Sequence, residues 1–166
     1  MSVKVRTPET HPMKPTARIF LAGSIENGVA ENWQDRLANT LTDRYEELDC
    51  NVLINNPRRS NWDSSIDPTS NDQALIDQIN WELDELDRSD VIAMYFDPNT
   101  KSPISLLELG LYKDRNIFVY CPDEFWRSAN VRVTCERFGI PTYTNQDEFI
   151  NDIASNIDFV LERRGW

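Results

Sequence analysis

The stretch DVIAMYFDPNTKSPISLLELG, residues 90–110, contains one complete repeating unit of the fold. Residues 90–96 are mostly apolar and are followed by a polar, proline-containing loop, which is typical of a short buried strand. Pro103 then opens a second apolar segment. Proline is well tolerated in the first turn of a helix, because an N–H there has no partner within the helix. The stretch is therefore predicted to be a strand, a loop and a helix in that order.

The same alternation extends in both directions along the chain. Further strands are predicted at residues 17–22, 51–54 and 117–121, with a weak one at 141–143. Apolar residues at helical spacing predict helices over residues 31–45, 72–88 and 129–138, and a closing helix on which Phe149, Ile153, Ile157 and Val160 share one side. Strands that alternate with helices pair in parallel through right-handed crossovers. We predict a small doubly wound α/β fold of about five strands, with helices on both faces of the sheet.

Two segments fall outside this alternation. Residues 1–16 contain three prolines among polar residues, so we expect a flexible N-terminal arm before a single domain over residues 17–166. The stretch NNPRRSNWDSSIDPTSND, residues 55–72, is polar and broken by proline, which predicts a long loop. A loop of this length in a compact domain is more often functional than idle.

Composition excludes several classes of function. The chain has 17 basic and 28 acidic residues, a net charge of −11, which disfavours binding to nucleic acid or an anionic membrane. Three widely spaced cysteines and a single histidine argue against a disulfide framework, a zinc site and a Ser-His-Asp triad. No apolar run approaches the ~20 residues of a membrane span, and the N-terminus lacks the apolar core of a secretory signal. We expect a cytoplasmic protein with a small-molecule ligand.

Glu82 is the first candidate catalytic residue. It shares a helical stripe with Leu75, Ile79 and Leu86, and that stripe is predicted to face the core. Burial raises the pKa of a carboxyl group and lets it hold or deliver a proton near neutral pH. The alternative is that Glu82 lies at the edge of the stripe and reaches solvent.

Glu108 is the second candidate, flanked by leucines on the helix that begins near Pro103. The free amides and dipole of a helix start favour an anion, and we expect them to keep Glu108 ionised, as a nucleophile must be. The alternative is an ordinary glutamate that merely suits the dipole. Two carboxyls above one crevice would be the arrangement of retaining glycoside-cleaving enzymes.

Loops at the carboxyl ends of the strands supply candidate binding residues, since ligands of doubly wound folds gather there. Gly23 and Ser24 follow the first predicted strand, where a tight turn allows close approach to a ligand or is simply a strand-to-helix connection. Trp62 and Asp63 lie in the long loop, where they would stack on and hydrogen-bond a planar base. The alternative for these two is a surface loop with an anchoring tryptophan.

Five segments together resemble the nucleoside 2-deoxyribosyltransferase family, in the same order and over roughly residues 17–145. They are IFLAGSIENG (19–28), NNPRRSNWD (55–63), QINWELDELDRSDVI (78–92), PISLLELGLY (103–112) and CPDEFWRSANV (121–131). The resemblance implies a flavodoxin-like fold and an enzyme that exchanges the nucleobase of 2'-deoxyribonucleosides. It also implies that no metal or organic cofactor is needed.

The resemblance assigns a role to both glutamates. Glu108 matches the nucleophile that attacks C1' of the sugar to form a glycosyl-enzyme ester, with net retention after a second base attacks. Glu82 matches the acidic residue that contacts the base and aids proton transfer, a position where the family usually has aspartate. The resemblance and the helical stripe therefore select the same residue.

Further site residues follow from the same resemblance. Gly23 and Ser24 match the turn near the base, and Ser102 matches a position that touches the sugar or, in nucleotide-hydrolysing relatives, a phosphate. Asn130, with Ser128 as a second candidate, matches a position that reaches a neighbouring subunit's substrate. Phe20 stands where the family often has a tyrosine whose hydroxyl steadies the nucleophile.

The leading hypothesis is a transferase that moves 2-deoxyribose between bases through a deoxyribosyl-glutamate intermediate. Its partners would be a nucleoside and a free nucleobase, and it would form a dimer or larger homo-oligomer with shared active sites. One alternative is an N-glycosidase that hydrolyses 2'-deoxynucleoside 5'-monophosphates. Another is a catalytically silent nucleotide-binding module.

Overall fold

The structure is a computed structural model that describes residues 4–6, 16–25, 30–45, 51–58, 67 and 69–166. The strands are β1 (Lys4–Arg6), β2 (Ala17–Gly23), β3 (Val52–Asn55), β4 (Val91–Tyr95), β5 (Ile117–Tyr120) and β6 (Thr142–Tyr143). The helices are α1 (Trp33–Tyr45), α2 (Gln73–Arg88), α3 (Pro103–Leu111), α4 (Ser128–Phe138) and α5 (Gln146–Arg163). None of the helices in these ranges is both long and apolar enough to cross a membrane.

All strand pairs of the sheet are parallel, and the strand order is β1-β3-β2-β4-β5-β6. Without β1, this order is the flavodoxin-like order of a doubly wound sheet. The predicted fold class and the five predicted strands are confirmed. β1 adds an edge strand, so three residues of the expected N-terminal arm belong to the sheet; KVR is too short for a strand pattern to be recognised. The domain boundaries stay a prediction.

Side chains alternate across the sheet and fill a separate core on each face. The core beneath α1 and α5 includes Ile19, Leu21, Ala93 and Tyr95. The core beneath α2, α3 and α4 includes Phe20, Ala22, Ile92 and Met94. Both faces of the central strands β2 and β4 are thus buried, which explains why these strands are nearly continuous apolar runs in the sequence.

Gly23 ends β2 at a point where no side chain fits. A Cβ atom there would lie 2.2 Å from the backbone oxygen of Tyr95, and the φ angle of +131° belongs to glycine. The next residue, Ser24, donates its backbone N–H to the same Tyr95 oxygen over 2.8 Å. This close approach fixes Ser24 directly beyond the carboxyl end of β4.

Helix α2 is rotated relative to the orientation predicted from its apolar stripe. Its buried residues are Gln78, Glu85 and Leu86, whereas Ile79 is 47% exposed. The Glu85 carboxylate accepts a hydrogen bond of 2.9 Å from the Asn55 amide at the end of β3, and it also pairs with arginines. Because this anchor turns polar residues toward the sheet, the prediction that the whole stripe faces the core was wrong. Glu82 is half-buried.

Candidate functional site

A cavity of about 220 Å³ lies between the carboxyl ends of the strands and helices α2 and α3. Six of its lining residues were predicted from the sequence: Phe20, Gly23, Ser24, Glu82, Ser102 and Glu108. Apolar atoms of Ala22, Ile25, Pro57 and Ile104 make up much of the remaining wall. The structure therefore places both candidate acids in one partly apolar cavity, at the edge of the sheet where such folds bind ligands.

Glu108 is buried on α3, with 8% of its surface exposed. Burial, and secondly the nearby charge of Glu82, raise its pKa from 4.5 to about 8. The expectation that the helix start keeps Glu108 ionised was therefore wrong. Glu108 is the sixth residue of α3, and the dipole effect fades beyond the first turn. With this pKa, Glu108 is mostly protonated at neutral pH.

Glu82 faces the same cavity from α2. Its Oε1 atom accepts a hydrogen bond from Nε2 of Gln78, one helical turn earlier. The preceding residue on α2, Trp81, is half-buried, and its ring centroid lies 6.1 Å from that of Phe20. The charge of Glu82 contributes to the raised pKa of Glu108, so the two carboxyls interact electrostatically across the cavity that both of them line.

Three buried hydroxyl groups meet at the opening of α3. The Oγ atoms of Ser24 and Ser102 are 2.5 Å apart, and the Thr100 hydroxyl lies 2.9 Å from the first and 2.8 Å from the second. Ser24 Oγ also accepts the backbone N–H of Asp97 over 2.9 Å. The two predicted serines thus form a pair. The loop after β4 holds this pair in place, because the Asp97 backbone binds Ser24 and the Thr100 hydroxyl binds both serines.

Ser102 has an unusual backbone conformation. Its φ of +46° and ψ of +53° lie in the left-handed region, which a residue with a side chain seldom adopts. It is the N-cap of α3, yet its side chain makes no capping hydrogen bond and joins the hydroxyl group cluster instead. Strain of this kind is concentrated at functional sites. In this conformation the Ser102 hydroxyl bonds those of Ser24 and Thr100 instead of capping the helix.

Other predicted site residues are not brought to this cavity within one chain. Ser128 begins α4, where its hydroxyl donates to the Asp123 carbonyl over 3.0 Å, and Asn130 is exposed on the same helix. A contact with a neighbouring subunit's substrate stays a prediction for both. Trp62 and Asp63 lie outside the described residues.

The sequence analysis missed three residues of the site. Ser105 lines the cavity three residues before Glu108, and its position one turn away on the same helix would have revealed it. Gln78 would likewise have followed from its spacing of four before Glu82. Thr100 lies two residues before the predicted Ser102, to which it bonds, so that nearness could have suggested it, although its second partner Ser24 is 76 residues away in sequence.

A larger depression of about 460 Å³ lies at the opposite, amino-terminal edge of the sheet. Among the described residues, its lining has three arginines and one acid, Asp90, which Arg164 bonds over 2.6 Å. The other two, Arg18 and Arg88, both pair with Glu85, so each arginine of the wall already has an acidic partner. Across the described part of the chain, no group of His, Cys, Asp and Glu side chains is arranged to hold a metal ion.

Comparison with known proteins supports the resemblance seen in the sequence. Residues 16–125, more than half of the chain, match the family described as nucleoside 2-deoxyribosyltransferase like. No curated protein matches the chain. A solved structure, that of a conserved protein from Enterococcus faecalis V583, is similar at a TM-score of 0.57 and 11% identity, covering 84% of this chain and 98% of that one. At this identity the likeness is evidence for the fold alone.

Proposed function

We propose, since the chain belongs to the nucleoside 2-deoxyribosyltransferase-like family, that it exchanges the nucleobase of 2'-deoxyribonucleosides through a covalent sugar–enzyme ester. The observation that carries this proposal is the placement of Glu82 and Glu108 in one cavity with apolar walls. A reaction at an anomeric carbon with retention needs one carboxylate as nucleophile and one carboxyl group as proton donor. The cavity supplies both from neighbouring helices.

In the first half of the reaction, the Glu108 carboxylate forms a bond to C1' of the sugar. The bond from C1' to the base nitrogen breaks with its electron pair, and Glu82 gives its proton to the leaving base. In the second half, a nitrogen of the incoming base bonds to C1', the ester bond to Glu108 breaks, and Glu82 takes up the proton of that base. Two inversions at C1' give net retention.

The raised pKa of Glu108 fits this proton balance. Near pH 7 the pair holds a proton most of the time, because the pKa of Glu108 is about 8. The reacting arrangement places that proton on Glu82 and the negative charge on Glu108. The pair therefore brings its own acid to the reaction, and no external proton donor is needed for the base to leave.

Charge in the cavity favours an uncharged nucleoside as the substrate. Among the described residues of the lining, both ionisable side chains are acids, and a phosphate would be repelled by them. The hydroxyl cluster of Ser24, Thr100 and Ser102 favours the second candidate, an N-glycosidase for 2'-deoxynucleoside 5'-monophosphates, because hydroxyls at a helix start suit a phosphate.

Incubation of the protein with deoxyinosine and free adenine, followed by chromatography, tests these functions. New deoxyadenosine supports transfer, whereas free hypoxanthine without deoxyadenosine supports hydrolysis. A parallel reaction with deoxyinosine 5'-monophosphate identifies the nucleotide-hydrolysing alternative. If neither substrate changes, both catalytic proposals are wrong and a silent nucleotide-binding module remains. Glu108→Gln, which keeps the shape of the nucleophile, is the negative control for every reaction.

We also propose that a second copy of this chain covers the cavity mouth. Ile104 lines the cavity and is nevertheless 60% exposed, and Leu107 and Leu111 continue the exposed apolar stripe along α3. Burial of this stripe against another subunit would remove apolar surface from water and bring Asn130 of one subunit within reach of the other's site. A fully active monomer in sedimentation would contradict this.

A further inference from the structure

Gln78 is a buried amide beside the proposed proton donor. Only 6% of its surface is exposed, and its Nε2 atom donates a hydrogen bond to Oε1 of Glu82, four residues later on α2. Its own carbonyl oxygen is buried and has no hydrogen-bond partner among the described residues. A buried carbonyl without a partner is costly, and native proteins keep few of them. The arrangement therefore calls for a reason beyond packing.

The chemistry of an amide supplies that reason. A glutamine side chain has a donor end and an acceptor end, which exchange places when the terminal torsion turns by half a rotation. The donor end bonds a carboxylate, as it does in this structure, and the acceptor end bonds the O–H of a protonated carboxyl. Gln78 can therefore pair with Glu82 in both of its protonation states, and the unused carbonyl oxygen is the partner of the protonated one.

We propose that Gln78 is a positioning residue that holds the Glu82 carboxyl toward the base and pairs with it both as acid and as carboxylate. The inference rests on the proposed function, in which Glu82 loses a proton to the leaving base and regains one from the incoming base. Glu82 must keep its place through this cycle although its charge changes twice. An apolar side chain at position 78 would pair with neither form, and an acid there would compete for the proton.

Two other acids lie near Glu82 among the residues that the structure describes. Across the cavity, α3 presents Glu108, whose pKa is raised by the charge of Glu82 whether or not Gln78 is present. On α2 itself, Glu85 faces the sheet, where Arg18 and Arg88 neutralise it. Removal of the neutral Gln78 amide therefore changes the hydrogen bonding of Glu82 without removing either of these charges.

Gln78→Leu is the test, and α2 offers a matched control. Gln73 donates to Asp77 over 2.7 Å with the same spacing of four, but this pair is exposed on the first turns of the helix. In the full-length protein, Gln78→Leu should lower kcat about tenfold or more with little change in KM. Gln73→Leu should leave kcat unchanged. Gln78→Met, which keeps the side-chain length, covers the case in which leucine prevents folding.

The pH profile separates positioning from a merely structural role. Hydrogen bonds to charged groups are stronger than those to neutral groups, so loss of the amide harms the carboxylate form more and raises the pKa of Glu82. The alkaline limb of the kcat profile should move to higher pH in Gln78→Leu and stay in place in Gln73→Leu. In a Glu82→Gln background, Gln78→Leu should have little further effect on kcat.

The outcomes distinguish this inference from the proposed function. If the wild-type protein neither transfers nor hydrolyses, the proposed function is wrong and the role of Gln78 is wrong with it. If the wild type is active but Gln78→Leu and Gln78→Met keep its kcat and its pH profile, only the role of Gln78 is wrong. Equal losses of kcat from Gln78→Leu with and without Glu82→Gln would also overturn it, since they would show that Gln78 acts independently of Glu82.

Discussion

Replacement of Glu108 by glutamine should stabilise the protein while it abolishes turnover. The pKa of Glu108 is raised from 4.5 to about 8 in the folded state, so folding favours the protonated form. The stability that this proton contributes is fully present below pH 4.5 and is lost as the pH rises toward 8. Each pKa unit corresponds to about 1.4 kcal/mol, so at pH 7 the loss is on the order of 3 kcal/mol. Glutamine has no ionisable proton, so the Glu108→Gln variant does not undergo this loss of stability.

Urea unfolding at pH 5, 6, 7 and 8 measures this effect for the wild type and Glu108→Gln. The stability difference should grow by up to about 1.4 kcal/mol per pH unit and level off above pH 8. The amide must place its own polar atoms in the cavity, which makes these magnitudes upper limits. Glu136→Gln, at an exposed position of α4, is the matched control and should show no such growth. A difference between wild type and Glu108→Gln that does not change with pH would refute the reasoning.

Three further predictions concern the cavity and its frame. The rate of base transfer, followed against pH, should fall on the alkaline side near pH 8, because the pair loses its last proton there; a rate still rising at pH 9.5 would contradict the shared proton. Gly23→Ala should lower the free energy of unfolding by at least about 2 kcal/mol, since its Cβ would lie 2.2 Å from the Tyr95 oxygen. Gly110→Ala, where a Cβ meets nothing within 4 Å, should change it by about 1 kcal/mol or less in urea unfolding, and equal losses would show that the contact is not decisive. Phe20→Tyr adds a hydroxyl to the cavity wall and should lower the pKa of Glu108, seen as a shift in the pH profile; an unchanged profile would mean that the hydroxyl does not reach it.

The positions of the strands could be predicted from the sequence because both faces of this sheet are covered. Residues 17–22 and 90–96 are apolar without alternation, and the structure has strands there as Ala17–Gly23 and Val91–Tyr95. The edge strand Lys4–Arg6 was not predictable, since three residues carry no pattern. The family resemblance implied that Glu82 and Glu108 share one crevice, whereas helical spacing alone left this open, and both residues line the same cavity.

The environment of the two acids was not predictable from the same patterns. Apolar periodicity assigns α2 a core-facing stripe, but the helix is oriented by Glu85, whose partners Arg18 and Asn55 are 67 and 30 residues away. Its position near the start of α3 suggests an ionised Glu108, but burial of the carboxyl in the cavity raises its pKa and favours the protonated form. In both cases the deciding contacts are tertiary, and helical spacing contains no information about them.

The burial of the nucleophile has a consequence for the order of events in the proposed reaction. With a pKa of about 8, Glu108 is mostly protonated at neutral pH, and roughly a tenth of it is ionised. In the proposed reaction the ionised form becomes the main one when the proton moves to Glu82, the group that a bound base would contact. Occupation of the base site would then favour the attack on C1', and the resting carboxyl would react slowly with other electrophiles. A Glu108 with an ordinary, low pKa would be ionised and ready to attack even without a bound base, and its reactivity would then not depend on the base. Burial of the Glu108 carboxyl thus lowers the stability of the folded protein near neutral pH, and the same burial favours reaction with a bound nucleoside over other electrophiles.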